Sequence, residues 1–221
     1  FAARTKVRHL GNNRERQFSA RAREIGRHLE KCGESERAID WYLRSSAQFE
    51  DLADQPAALE DLRAAARLLG RDRPADEEEL RTLIDIRLDI ARLSRLTGKF
   101  GPAEDTLRAA REEAAALGDT ELQAELTYRL ADVLLQRSDY DSARTYFEES
   151  ERLFLEAGRD GDALRAALGE GHVLHHLGRN PSAHEQYARL ADRAEELGDA
   201  ELEAEALLGL ARCAYGDGEL V

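Results

Sequence analysis

The chain has 221 residues, of which 42% are hydrophobic, 35% charged and only 6% aromatic. Ala, Leu, Glu and Arg dominate, all strong helix formers, and no run of alternating β-branched residues occurs, which excludes a sheet-based fold. The net charge of −13 argues against nonspecific nucleic-acid binding, which works by neutralising phosphates, and no apolar run approaches the ~18 residues of a membrane span.

The charge is uneven. Residues 1–31 carry nine Lys/Arg against three Asp/Glu, a net of +6, so the remainder carries −19. Such a basic segment suits phosphate or acidic lipid, or forms one solvated helix face. Cys32 and Cys213 lie 181 positions apart, too far along an elongated repeat for a disulfide, which points to a reducing, cytoplasmic setting. The chain opens at Phe1 without a signal peptide and contains no Met, as expected of a segment of a longer protein.

In chain order, residues 1–15 are poorly patterned and predict a partial or frayed segment. Helices follow at about Arg16–Lys31, Ser35–Leu52 and Gln55–Leu69, then an irregular connection over Gly70–Ala75. Residues 16–76 form an atypical first set of helices, and 77–221 about three and a half units of forty residues. In those units the A helices run Glu77–Thr97, Thr120–Arg137, Gly161–Leu177 and Ala200–Tyr215, and the B helices Gly101–Leu117, Asp141–Ala157 and Pro181–Leu197. Gly98 and Gly178 suit positive φ after a helix, and Pro102 and Pro181 suit a first turn. Asp119, Asp139, Asp160 and Asp199 sit where a carboxylate caps exposed N–H groups.

The period is explicit. Gly98, Ser138 and Gly178 share a column, as do Ala103, Ala143 and Ala183, then Leu107, Phe147 and Tyr187. Within each unit a small residue of helix A stands twelve positions before one of helix B: Ala91 and Ala103, Ala131 and Ala143, Gly171 and Ala183. Small residues allow close helix approach, and the facing large residue fills the remaining space. These columns resemble tetratricopeptide repeats with units longer than usual, strongly over 77–215 and partly over 16–70. The fold class implied is all-α, a right-handed α-solenoid of antiparallel helix pairs. Glu170, where Ile90, Leu130 and Leu210 are apolar, and Asn180, in place of a turn aromatic, make the third unit looser or differently packed. Upstream, Ile25, His28, Leu29, Gly33, Ala38, Ile39 and Trp41–Leu43 are similar to the helices that follow the nucleotide-binding and winged-helix modules of signal-transduction ATPases.

No constellation carries catalytic chemistry, so no enzyme activity and no cofactor are expected. The carboxylate runs Glu77–Glu79 and Glu112–Glu113 fit solvated faces, the paired glycines Gly169 and Gly171 fit helix packing, and Trp41 fits the core. His172 and His176, four apart, have a spacing a zinc pair can use, but the order His-Val-Leu-His-His lacks the glutamate of a metalloprotease helix. A ligand-facing or merely exposed histidine patch is favoured over a metal site and over pH sensing.

The resemblance implies a concave groove lined by positions one, four and five after the small residue of helix A. Carried over, these are Arg92, Arg95 and Leu96, then Asp132, Leu135 and Gln136, then His172, His175 and His176, then Arg212, Tyr215 and Gly216. A further row holds Asp85, Glu125, Arg165 and Glu205, and Tyr128 joins the candidate set. This strip of Arg and His inside an acidic body suits a protein or peptide partner with acidic groups. The function expected is a non-catalytic protein-interaction scaffold within a larger cytoplasmic regulator. The alternative is a sensor or oligomerisation arm of a signalling ATPase, kinase or transcription regulator, self-associating through a C-terminal end where Leu207 and Leu210 lie open.

Overall fold

The structure, a computed structural model, describes residues 2–71 and 76–216, with side chains over 15–71 and 76–214. Ten helices and no strand occur among the described residues. The chain divides within one helix into two compact units, Phe1–Thr106 and Leu107–Val221. The first holds α1 (Ala2–Lys31), α2 (Ser35–Asp51), α3 (Gln55–Leu69), α4 (Glu77–Leu96) and the start of α5 (Phe100–Leu117). The second holds the rest of α5 and α6 (Thr120–Gln136), α7 (Tyr140–Glu156), α8 (Asp160–His176), α9 (Asn180–Leu197) and α10 (Ala200–Gly216). From α2 onward the expected helices hold to within a residue at either end. The Gly70–Ala75 connection lies, over 72–75, outside the described residues.

The caps explain the boundaries. Asp54, Asp76, Asp119 and Asp139 accept hydrogen bonds from the backbone N–H three residues on, as does Asp199 from Leu202. Asp160 does not: Arg159 stands at the cap of α8 without a side-chain bond, and Asp160 is the first helical residue, where its charge meets the helix dipole instead. Gly98 and Gly178 take φ of 72° and 70°, and Ser138, in the same column, is held at 64°. The turn geometry therefore overrides a side chain's preference at one of the three positions.

Packing follows the small-against-large columns. Ala131 and Phe147, and Gly171 and Tyr187, are buried, each pair spaced by sixteen residues. Each large ring also meets the next A helix: a Cβ at Gly169 would fall 2.3 Å from the Phe147 ring, and one at Gly209 2.7 Å from Tyr187. So α8 packs differently rather than loosely, its two glycines admitting rings that an alanine would exclude. Glu170, half-buried beside them, accepts from Gln186 at 3.4 Å, and burial pushes its carboxyl upward in pKa.

The same spacing recurs in the first unit, where the forty-residue columns do not reach. Gly26, Ala38 and Tyr42 repeat the twelve- and sixteen-residue offsets, and a Cβ at Gly26 would lie 3.1 Å from the Tyr42 ring. Ala64 of α3, twenty-two residues beyond Tyr42, takes the place that Gly169 and Gly209 hold after Phe147 and Tyr187. Thus α1 and α2 form a repeat, α3 supplies the next A-type helix, and the columns restart at Ala91 of α4. Trp41, expected in the core, is partly exposed, with the Arg44 guanidinium 5.3 Å over its ring.

Gly169→Ala should destabilise the protein by about 1–3 kcal/mol, because the strain against Phe147 exceeds the gain in helix propensity. Gly161→Ala, with open space around it, should be neutral or stabilising. Urea denaturation of the two variants side by side checks this, and equal stabilities would mean that Phe147 moves aside freely.

Candidate functional site

In the second unit, α6, α8 and α10 line one cavity of about 360 Å³. Tyr128 and Asp132 enter from α6, Arg165 and His172 from α8, and Glu201 and Glu205 from α10. Leu135, Leu168, Leu202 and the Phe147 ring complete the apolar part. Tyr128 packs edge-on to Phe147, with ring centroids 5.8 Å apart. Four of the sequence-derived candidates, Tyr128, Asp132, Arg165 and His172, therefore meet at one place. Gln136 stands behind them, donating to both Asp132 carboxylate oxygens at 3.1 Å.

The other candidates go elsewhere. His175 Nδ1 lies 3.3 Å from Asn180 Oδ1 and 3.9 Å from the buried Cys213 Sγ. His176 stacks on Tyr140 at 5.4 Å, nearly parallel. Arg212 is exposed on α10, and its charge acts on His172. The side chain of Tyr215 lies outside the described residues. Arg92 and Arg95 belong to the first unit, on α4, where Arg92 donates to Glu50 at 2.6 Å and to Asp89 at 2.8 Å. Among the described residues no group of three or more His, Cys, Asp or Glu is placed to hold a metal ion.

The electrostatics also differ from a basic strip. Among the described residues Arg165 is the only cation lining the cavity, and it already reaches Asp162 at 3.3 Å and Asp199 at 3.7 Å. Asp132, Glu201 and Glu205 line the same space. His172 adds no charge near neutrality: burial first, then Arg212, His176 and His175, lower its pKa to about 4. Burial, with Asp132 beside it, raises the Tyr128 phenol, so it remains a neutral donor. The cavity thus offers two aromatic rings and an apolar floor with a carboxylate rim. Counting residue types along the helix showed the arginines but not the carboxylates that neutralise them. Glu201 was missed, although it lies one turn before Glu205 on the same face of α10.

No protein-family model matches the chain, and no curated protein matches it. Solved structures do. BtubC (BKLC) from P. vanneervenii is 16% identical, with 94% of this chain and 85% of that chain covered and a TM-score of 0.70. A signal-transduction ATPase with a tetratricopeptide repeat sensor from Pyrococcus horikoshii is 15% identical, covering 92% and 34% with a TM-score of 0.60. The Rap conjugation gene regulator of plasmid pLS20, in complex with the Phr* peptide, is 16% identical, covering 84% and 55% with a TM-score of 0.55. Likeness at these identities establishes the fold: this chain is built of tetratricopeptide-like helical repeats. Among the described residues no helix is long and apolar enough to cross a membrane.

His172 makes stability depend on pH with a definite sign. Unfolded, it binds a proton near pH 6.5, whereas folded it resists protonation down to about pH 4. Its contribution is therefore complete above pH 6.5 and is lost as pH falls towards 4. Between pH 7 and 4.5 the wild type should lose about 2 kcal/mol more than His172→Gln. Urea titrations at both pH values test this, and parallel losses would show His172 to be freely solvated.

Proposed function

We propose that the protein is a non-catalytic interaction scaffold that holds a peptide or protein segment in the α6–α8–α10 cavity, within a larger cytoplasmic regulator. The carrying observation is the convergence of Tyr128 and Asp132 of α6 with Arg165 and His172 of α8 on one apolar-floored space. Preformed surfaces of stacked helix pairs suit this role, since little ordering is needed on binding. The fold likeness to a regulator solved with a peptide supports the same reading. The carboxylate rim favours an apolar anchor flanked by Lys or Arg in the bound segment, with the cation near Asp132 and the Tyr128 ring, and not the acidic segment expected from the Arg and His count.

Selection from a random peptide display library tests this directly. The wild type should enrich an apolar residue next to Lys or Arg. Tyr128→Ala should weaken the selected peptides by about tenfold or more, the loss expected when a central aromatic anchor goes. Asp132→Arg should move the preference towards Asp and Glu. The absence of any consensus, or one shared equally by both variants, would overturn the reading.

A second reading, the oligomerisation arm, is favoured by Leu207 and Leu208 of α10, which are 49% and 52% exposed next to each other. Apolar neighbours open to water suit a second helical face. Leu210, by contrast, packs against the core of α8–α10 and is not part of that surface. On this reading sedimentation shows a concentration-dependent dimer that Leu207→Asp/Leu208→Asp abolishes. A monomer at all concentrations would refute it.

A further inference from the structure

The first unit has its own cavity, of about 660 Å³, between α1 and α3 over the Tyr42 ring of α2. Its place follows from the repeat: Arg27, Glu30 and Lys31 stand one, four and five residues after Gly26, the offsets that place Asp132, Leu135 and His172 around the other cavity. From α3, Arg63 and Arg67 lie one turn apart on the same face, and Arg71 follows just past the C-terminus. The two helices thus line a trench about 10 Å long, at 1.5 Å per residue along α3.

The carboxylates in this trench are already bonded. Glu30 accepts from Arg67 at 2.8 Å and from the Tyr42 hydroxyl at 2.8 Å. Glu60 accepts from Arg27 at 2.6 Å and Arg23 at 3.1 Å, and the buried Asp61 accepts from Arg23 Nε at 2.6 Å. These bonds fix Arg27 and Arg67 and leave three cations over. Lys31, Arg63 and Arg71 are exposed at the cavity and have no ion-pair partner among the described residues. Lys31 closes the basic segment of residues 1–31, and Arg63 and Arg71 follow it within a stretch, residues 1–71, that carries fourteen Lys/Arg against eleven Asp/Glu, a net of +3 in a chain of net −13.

We propose that this trench binds a small molecule carrying a run of phosphate groups, held by Lys31, Arg63 and Arg71. Charge density selects that class over an acidic peptide. Carboxylates on one face of an extended strand recur every ~6.6 Å, so a trench of this length meets at most two of them, one charge each. A di- or triphosphate concentrates three or four charges in the same length and matches the bidentate geometry of guanidinium groups. The volume falls within the ~300–1,000 Å³ of small-molecule sites. The proposal goes beyond the peptide reading of the second unit and does not rest on it.

The test is calorimetric titration of the whole chain with inorganic triphosphate, and in parallel with a tetra-aspartate peptide. Triphosphate should bind the wild type more tightly than the peptide does, and should weaken as salt rises. Lys31→Gln and Arg63→Gln, both at exposed positions that leave the fold intact by circular dichroism, should each weaken it about tenfold. Tyr128→Ala should leave it unchanged, so that failure here is separable from failure of the peptide site. No heat with triphosphate, equal affinity in the Lys31 and Arg63 variants, or tighter binding of the peptide would overturn the proposal.

Discussion

The constraint on which the structure depends is the distance between helix axes within each hairpin. Helices approach closely only where one presents a residue without a bulky side chain, and the gap is then filled by a ring or a leucine from its neighbour. Gly26 and Tyr42, Ala131 and Phe147, and Gly171 and Tyr187 each meet this demand at the same spacing. Each buried large side chain contributes roughly 2–3 kcal/mol, so a few such contacts are comparable to the whole stability of a small unit. The large residue also touches the following A-type helix, through Gly169 or Gly209. That shared contact couples a hairpin to its successor and makes the stack cooperative. It also leaves a space between successive A helices, above the ring, and both cavities are such spaces.

This explains which parts were legible in the sequence. Column positions are fixed by sterics, so Ala91, Ala131 and Gly171 announce themselves, and the boundaries of α2 to α10 follow from capping carboxylates and positive-φ turns. The first repeat was hidden by phase and not by chemistry. Gly26 lies sixty-five residues before Ala91, because α3 adds a helix outside the pairing, and a search at a shift of forty passes over it. The internal offsets of twelve and sixteen, applied without the long period, find Gly26, Ala38 and Tyr42. Asp160 failed as a cap for a local reason: α8 starts in register with α6 and α10, forty residues from each, but its aspartate comes one position later than Asp119 and Asp199, so Arg159 holds the cap position and the carboxylate is inside the first turn.

Position along a helix shows which residues share a face, but not their net charge, and the structure brings Asp132 and His172 to one cavity. Net electrostatics depends on contacts between helices and on burial, which a single row of residues does not contain. Arg165 is engaged by Asp162 on its own helix and by Asp199 at the start of α10, and Arg92 by Asp89 and by Glu50 of another helix. His172 loses its charge through burial and through the neighbouring cations. The arginines that suggested a basic strip are thus mostly internal fastenings.

The two cavities then separate two properties that a repeat usually confounds. Helix geometry determines where each cavity opens, since both spaces lie over the large ring of a B helix and beside the same offsets of an A helix. The offset positions turn to the cavities, and some also fasten neighbouring helices: Arg27 pairs with Glu60 of α3, and Glu30 accepts from Arg67 of α3 and Tyr42 of α2. In one unit the offset positions carry aspartate, leucine and histidine, with glutamates across from them; in the other, arginine, glutamate and lysine, with an arginine row across from them. The charge around each cavity is thus set at these offset and facing positions, while the glycine and ring columns set how closely the helices approach.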